Sequence, residues 1–101
     1  MNDAATADVT TVPAAALGGP GGPDAAKCSV VAIEALSRVA GLNMGVTQMQ
    51  IDVSSLALGQ REVAIHARID KRTKSILFAS ADAQAGDQMV FRAQALFSTR
   101  R

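Results

Sequence analysis

Residues 61–85 decide the fold, and their sequence is REVAIHARIDKRTKSILFASADAQA. Every second residue in the first half is apolar, namely Val63, Ile65, Ala67 and Ile69. This two-residue period is typical of a half-buried strand. A polar turn follows at 70–74, and the alternation resumes from Ile76 with alanine on one face. The segment therefore predicts an antiparallel hairpin with strands at about 61–71 and 76–85.

The same alternation continues on both sides of this hairpin. After a Gly86-Asp87 turn, apolar and polar residues alternate over 89–97, and ahead of the hairpin they alternate within 44–53. A loop that contains Gly59 separates this earlier strand from the hairpin. Four strands in this order, three of them joined by short turns, predict an antiparallel meander.

One long helix is predicted ahead of the strands, from about Asp24 to Leu42. Asp24 is suited to accept hydrogen bonds from free amides of the first turn, and Gly41 is suited to end the helix in a left-handed conformation. Apolar residues recur at three- and four-residue spacing: Cys28, Val31, Ala32, Ala35, Leu36 and Val39. Because apolar surface covers most of this helix, a sheet must pack around it, which predicts a single α+β domain.

Residues 1–23 are predicted to form an N-terminal arm. They are rich in Ala, Thr, Gly and Pro, and the run GGPGGP at 18–23 interrupts regular structure. β-Branched residues within 8–12 favour a short edge strand, whose length Pro13 would limit. A flexible arm is the alternative. The main domain is therefore expected at 24–101.

Composition argues against several classes of function. The 101 residues carry a formal net charge of +1, contain one cysteine and include no Trp or Tyr. We therefore expect no nucleic-acid partner, no membrane partner, no metal site and no disulfide. The N-terminus lacks the charged and apolar regions of a secretory signal, so we expect a cytoplasmic location.

Four parts of the sequence are similar to a known fold: the helix segment VVAIEAL at 30–36, the strand GVTQMQID at 45–52, and the hairpins at 63–78 and 79–97. Over about residues 24–99 they resemble the hot-dog fold, in which a long antiparallel sheet wraps a central helix. The resemblance is to the phenylacetate-type (PaaI-like) branch of acyl-CoA thioesterases. It implies a homodimer or homotetramer that hydrolyses or binds an acyl-CoA thioester between subunits, without a cofactor.

The same resemblance implies that Glu34 is the catalytic carboxylate and that amides at the start of the helix polarise the thioester carbonyl. Members of this branch also carry a His-Gly-Gly segment before the helix, and this chain has none. A non-catalytic hot-dog protein that binds a ligand is therefore the alternative. For Glu34 itself, the alternative is an ion pair with Arg38, four residues further along the helix.

Four basic residues fall within seven positions around the predicted turn: Arg68, Lys71, Arg72 and Lys74. They form either a solvated hairpin tip or a site for the phosphates of coenzyme A, which cations bind well. By the resemblance, Asn43 and Thr47 would line the pantetheine or acyl channel. Cys28 falls on the apolar stripe of the helix, so we expect it to be buried as a small hydrophobic residue.

Overall fold

The computed structural model of the chain describes residues 7–19 and 21–100. In this part of the chain the elements are β1 (Ala7–Pro13), a 3-10 turn (Ala14–Ala16), β2 (Gly18–Gly19), β3 (Gly22–Pro23), α1 (Ala25–Ala40), β4 (Met44–Val53), β5 (Glu62–Arg72), β6 (Ile76–Ala85) and β7 (Gln88–Thr99). Five strands form one antiparallel sheet in the order β1-β5-β6-β7-β4, and β2 pairs with β3. The predicted α+β class and the predicted meander are confirmed.

The strands agree closely with the sequence pattern. β4 and β6 have the predicted bounds, and β5 and β7 differ from theirs by no more than two residues. β1 contains residues 8–12 and pairs with β5 in antiparallel register. For this part of the arm, the structure therefore has the edge strand rather than the flexible alternative. The arm residues 1–6, together with Pro20 and Arg101, lie outside the described residues.

The helix α1 begins after Asp24 and ends at Gly41, as predicted, but it is shorter than predicted and Gly41 has a ψ of 170° rather than the predicted left-handed helical conformation. The Asp24 carboxylate accepts a hydrogen bond from the Lys27 amide at 3.0 Å. At the other end Gly41 has a φ of 94°, and its amide donates to Ser37 O at 3.0 Å. Leu42 therefore lies outside the helix, contrary to the prediction, and its side chain is 95% exposed.

The core lies between one side of α1 and the inner face of the sheet. Much of that inner face is alanine, and its buried members include Ala67, Ala79, Ala81, Ala83, Ala93 and Ala95. Small side chains let the helix lie close to the strands, while Phe91 and Phe97 fill the remaining space. The opposite side of α1 is accessible, since Val30 is 56% exposed. Within a single chain the sheet therefore covers one side of the helix.

Candidate functional site

The sheet has two ends that differ in chemistry. We call the first the glycine end, which comprises residues 17–19, 21–22 and 54–61 beside the first turn of α1. The amide of Asp24, just before α1, donates to Leu17 O at 2.8 Å and so connects the glycine end to the helix. We call the second the basic end, which comprises Lys71, Arg72, Lys74 and Arg100 beside the residues that follow α1. β4 runs from the basic end to the glycine end, and β5 runs back.

Two glycines allow a very tight hairpin at the glycine end. A Cβ atom on Gly18 would lie 2.2 Å from the carbonyl oxygen of Gly22, a distance that real Cβ atoms do not tolerate. Gly22 has a φ of 119°, which favours glycine, and a Cβ there would lie 3.1 Å from Leu56 O. Gly18, Gly19 and Gly22 therefore form a compact wall at positions where the sequence predicted only an irregular arm.

A cavity of about 450 Å³ opens beside this hairpin. The described residues that line it are Pro13, Ala14, Ala15, Gly18, Gly19, Leu58, Gly59 and Gln60. None of these lining residues is charged. Sequence reasoning missed this cavity because its walls come from segments that are distant in the chain, and no local pattern indicates that they meet.

Arg61 holds one wall of this cavity in place. Its Nη2 donates to Ala57 O at 2.9 Å, and its Nε donates to Leu58 O at 3.2 Å. The carbonyl of Arg61 also accepts the amide of Ala14 at 3.1 Å, which joins the β4–β5 loop to the segment after β1. The two walls are therefore fixed to each other through one residue.

The first turn of α1 is capped by the protein itself. The Asp24 carboxylate occupies the Lys27 amide, and its negative charge interacts favourably with the helix dipole. A thioester oxygen that gains negative charge at this amide would be repelled by the Asp24 carboxylate. The predicted polarisation of a carbonyl by the amides at the start of the helix is therefore not supported at Lys27.

Glu34 lies in the middle of α1 with an exposed side chain. The predicted ion pair with Arg38 is wrong, because Arg38 Nε contacts Asp8 Oδ2 at 3.2 Å and Arg38 Nη2 donates to Thr10 Oγ1 at 2.8 Å. Arg38 thus ties β1 to the helix, a contact between distant segments that helical spacing cannot reveal. Within residues 7–19 and 21–100, Glu34 forms no ion pair.

The basic end brings together three of the predicted phosphate ligands, which are exposed: Lys71, Arg72 and Lys74. None of them forms an ion pair with another described residue. Cations that are close in sequence and have no acidic partner repel one another, and a bound anion would remove that repulsion. The geometry therefore leaves these three side chains available for an anion.

Arg100 joins this group, although sequence reasoning missed it. The end of β7 lies beside the β5–β6 turn, where the Thr99 amide donates to Ser75 O at 3.1 Å. Arg100 Nε donates to Met44 O at 3.1 Å. An antiparallel register between the last two predicted strands would have placed Arg100 near the turn, so this residue could have been found from the sequence.

Arg68 differs from the other predicted phosphate ligands. It lies on the outer face of the sheet, where its Nη1 contacts Asp82 Oδ2 at 3.0 Å and its Nε contacts Asp70 Oδ1 at 3.4 Å. Arg92 contacts the same Asp82 at 3.1 Å. Partial burial would raise the pKa of Asp82, but hydrogen bonds and charges from Arg68 and Arg92 outweigh this and lower the pKa. Arg68 is therefore already neutralised.

Asn43 and Thr47 are both exposed near the basic end. The carbonyl of Asn43 accepts the Arg100 amide at 2.7 Å. Thr47 lies where the register between β4 and β7 shifts, and its Oγ1 donates to Leu96 O at 3.1 Å. Neither residue lines the cavity at the glycine end. Within one chain, Asn43 precedes β4 and Thr47 lies in its first half, whereas the cavity residues Leu58, Gly59 and Gln60 follow the end of β4.

Cys28 is fully buried, as predicted. Its thiol donates to Leu17 O at 3.4 Å, which is part of the glycine end. Burial raises the pKa of this thiol, and the nearby charge of Asp24 raises it further.

In the part of the chain that the structure describes, no group of three His, Cys, Asp or Glu side chains could hold a metal ion. Nor is any helix there long and apolar enough to cross a membrane.

Solved structures share this fold at low sequence identity. A hypothetical thioesterase from Streptococcus pneumoniae with coenzyme A has a TM-score of 0.82 at 13% identity, over 94% of this chain and 79% of the other. A Streptococcus mutans protein bound to acetyl-CoA has a TM-score of 0.81 at 13% identity, over 94% and 82%. The E. coli PaaI protein, from the phenylacetic acid degradation operon, has a TM-score of 0.77 at 14% identity, over 94% and 72%.

The chain therefore has the hot-dog fold, which confirms the predicted fold. The PaaI structure is one among several that it resembles, so the likeness does not single out that branch. No protein-family model matches the sequence, and no curated protein matches it either. At these identities the comparisons establish the fold, and the function must be argued from the site.

Proposed function

We propose that this chain is a thioesterase-like hot-dog protein that binds an acyl-CoA thioester between two copies of itself. The observation that carries the proposal is that one sheet has a basic surface at one end and an uncharged cavity at the other. An acyl-CoA has a polyanionic nucleotide at one end and an uncharged thioester at the other. The basic end suits the first part, and the uncharged glycine end suits the second.

The open edge of β4 supplies a way to bring these two chemistries together. β4 is an outer strand of the sheet, and its ten residues include neither proline nor lysine. The other outer strand, β1, ends in Pro13, which cannot donate to a neighbouring strand. An open, nearly uncharged edge favours pairing with another strand. We infer a homodimer in which β4 pairs with β4 of the second copy.

Antiparallel pairing about a twofold axis reverses the strand direction across the interface. β4 begins at the basic end, at Met44, and finishes at the glycine end, at Val53. The basic end of one copy would thus lie beside the glycine end of the partner. One extended ligand could then contact the basic end of one copy and the glycine end of the other. A further pairing of two dimers into a homotetramer is compatible with this arrangement.

In this proposal each predicted residue has a specific place. Lys71, Arg72, Lys74 and the added Arg100 bind the phosphates, whereas Arg68 contributes less because two carboxylates neutralise it. Asn43 and Thr47 lie at the same end and would contact the pantetheine. Glu34 would activate the water that attacks the thioester carbonyl, since its carboxylate is exposed and lacks an ion-pair partner among the described residues.

The capped helix supports a second candidate, a hot-dog protein that binds an acyl-CoA without hydrolysing it. Asp24 occupies the amide that would stabilise a developing oxyanion, and the chain has no His-Gly-Gly segment. Both candidates share the binding site. They differ only in whether Glu34 performs chemistry.

Calorimetry tests the shared binding site. Wild-type protein should bind CoA with an affinity that falls as salt rises, because the contacts are ionic. A Lys71→Gln/Arg72→Gln/Lys74→Gln variant should weaken binding by about tenfold to 100-fold, at roughly 0.5–1 kcal/mol per lost contact. An acetyl thioester of N-acetylcysteamine, which has no phosphate, is the control ligand and should bind both proteins equally. Equal affinity of both proteins for CoA would remove the basic end from the proposal.

Turnover then separates hydrolysis from binding. Release of free CoA thiol from a panel of acyl-CoAs should be measurable with wild type and lost with Glu34→Gln, which keeps the shape and removes the charge. Binding without turnover establishes the non-catalytic candidate. Turnover that survives Glu34→Gln excludes Glu34 as the base. Sedimentation should find a dimer, and a monomer that still binds CoA would contradict the shared site.

A further inference from the structure

We propose that the cavity at the glycine end holds the acyl group and selects neutral aliphatic acyl groups over charged ones. This inference rests on the proposed acyl-CoA binding and assigns one part of the ligand to one place. It is carried by the lining of the cavity, by its volume and by the way its walls are fixed.

No charged side chain lines the cavity, and the two cations behind its walls, Lys27 and Arg61, already donate to the carbonyls of Gly18, Ala57 and Leu58. The described residues of the lining are one proline, two alanines, three glycines, one leucine and Gln60, which contributes the only polar side chain among them. A carboxylate or an ammonium on the acyl group would lose part of its hydration there without a charged side chain on the lining to compensate, which is unfavourable. A neutral chain loses nothing by the same transfer, and it gains from the burial of its methylene groups.

The volume suits a small ligand part. About 450 Å³ lies within the range of about 300–1,000 Å³ that is usual for small-molecule sites. Glycine and alanine on the walls leave space that larger side chains would fill. Each methylene that becomes fully buried should raise affinity by about fourfold, which corresponds to about 0.8 kcal/mol. The gain should stop once the chain is longer than the cavity.

The walls are held in place before any ligand arrives. Gly18 and Gly22 pack so closely that no side chain fits between them. The Arg61 guanidinium fixes the opposite wall through the carbonyls of Ala57 and Leu58. Because the cavity is preformed, its walls need little ordering when an acyl chain binds. More of the free energy gained by burying the chain therefore contributes to affinity.

Two glycines of the same hairpin provide a matched pair of variants. Nothing lies within 4 Å of a Cβ placed on Gly19 or on Gly21, so both positions accept a larger residue. Gly19 lines the cavity, whereas Gly21 does not. Gly19→Leu should therefore fill the cavity, and Gly21→Leu should alter the same hairpin outside it. Equal unfolding midpoints for the two variants will show that both are folded.

The test uses S-acyl thioesters of N-acetylcysteamine from acetyl to octanoyl, together with the succinyl thioester, because none of them carries the CoA phosphates. Affinity should rise severalfold with each methylene up to a limit, and succinyl should bind at least tenfold more weakly than butanoyl. Amide resonances of Gly19, Gly59 and Gln60 should shift on binding. Gly19→Leu should abolish the dependence on chain length, and Gly21→Leu should retain it.

The outcomes distinguish this inference from the proposed function. If CoA binds while the thioester series shows no dependence on chain length, or shifts amides elsewhere, the acyl assignment is wrong and the CoA site stands. If the series behaves as described and CoA does not bind, the cavity assignment stands and the CoA proposal fails. An unchanged profile in Gly19→Leu would overturn the inference in either case.

Discussion

The glycine end and the basic end show two different ways of making a surface from the same sheet. At the glycine end the backbone determines the structure, because Gly18 and Gly22 leave no room for a side chain and Arg61 holds the neighbouring loop. At the basic end charged side chains extend from the end of β5, from the β5–β6 turn and from the residue after β7, and none of the four forms an ion pair with another described residue. Substitutions at the first should therefore change folding stability, and substitutions at the second should change binding.

The largest difference is expected between two glycines, one at each end. Gly18→Ala should reduce the free energy of unfolding by about 2–3 kcal/mol, because its Cβ would overlap the Gly22 backbone and the hairpin must shift. Gly45→Ala should change it by no more than about 0.5 kcal/mol, since its Cβ would lie at ordinary distances from the Arg100 side chain. Urea unfolding measures both. Equal losses would contradict the contrast between the two ends.

Two arginines offer the next comparison. Arg61→Ala should reduce stability by about 1–2 kcal/mol, because two backbone carbonyls lose charged donors. Arg72→Ala should stay within about 0.5 kcal/mol of wild type. Thermal unfolding gives both values. Arg61→Lys should recover little, because an ammonium cannot reproduce the planar fork that reaches both carbonyls. Full recovery by lysine would show that charge alone supports the loop.

Arg38 is the next residue to substitute, because its contacts with β1 should stabilise the fold although it is a cation like those of the basic end. Arg38→Ala should cost about 0.5–1 kcal/mol, because its exposed contacts with Asp8 and Thr10 are lost. Hydrogen exchange should also become faster for amides of β1. Glu34→Ala is the control and should leave both measurements unchanged. If the two variants behave alike, the helix pair Glu34–Arg38 forms in solution after all.

The smallest effect concerns Asp82, on the outer face between the two ends. The pKa of Asp82 is lower in the folded protein than in the unfolded chain, where it is about 3.9. The charged carboxylate therefore stabilises the fold above that pH, and this stabilisation is lost as the pH falls through the pKa of the folded protein. Asp82→Asn should cost about 0.5–1 kcal/mol at pH 7 and reduce the decline in stability below about pH 4. Unfolding midpoints at pH 7 and pH 3 measure this. Asp87→Asn, in the β6–β7 turn, is the control and should match wild type.

Local patterns in the sequence predicted most of the fold. The alternation within 44–53 and 76–85 gave both strands with their bounds, because a strand with one buried face must alternate. Asp24 and Gly41 marked the helix caps because each has a physical role at a helix terminus. These successes depend on residues that are neighbours in the chain.

The site was predicted less well, since its geometry depends on segments that are distant in the chain. Helical spacing suggested Glu34 as the partner of Arg38, but β1 places Asp8 closer to the guanidinium. Charge clustering grouped Arg68 with the turn, but the adjacent strand supplies Asp82 to pair with it. The cavity has no counterpart in any local pattern. Only Arg100 could have been located in advance, from the antiparallel register of the last hairpin.

Cys28 is the only thiol in the chain, and it lies beside the glycine end. An activated acyl group passes readily to a thiolate, and a neutral thiol is a much weaker nucleophile. Burial and the charge of Asp24 both raise the pKa of Cys28, so it remains a thiol that a ligand cannot reach. Under the proposed function, this chain would therefore hold an acyl thioester without transferring the acyl group to its own cysteine.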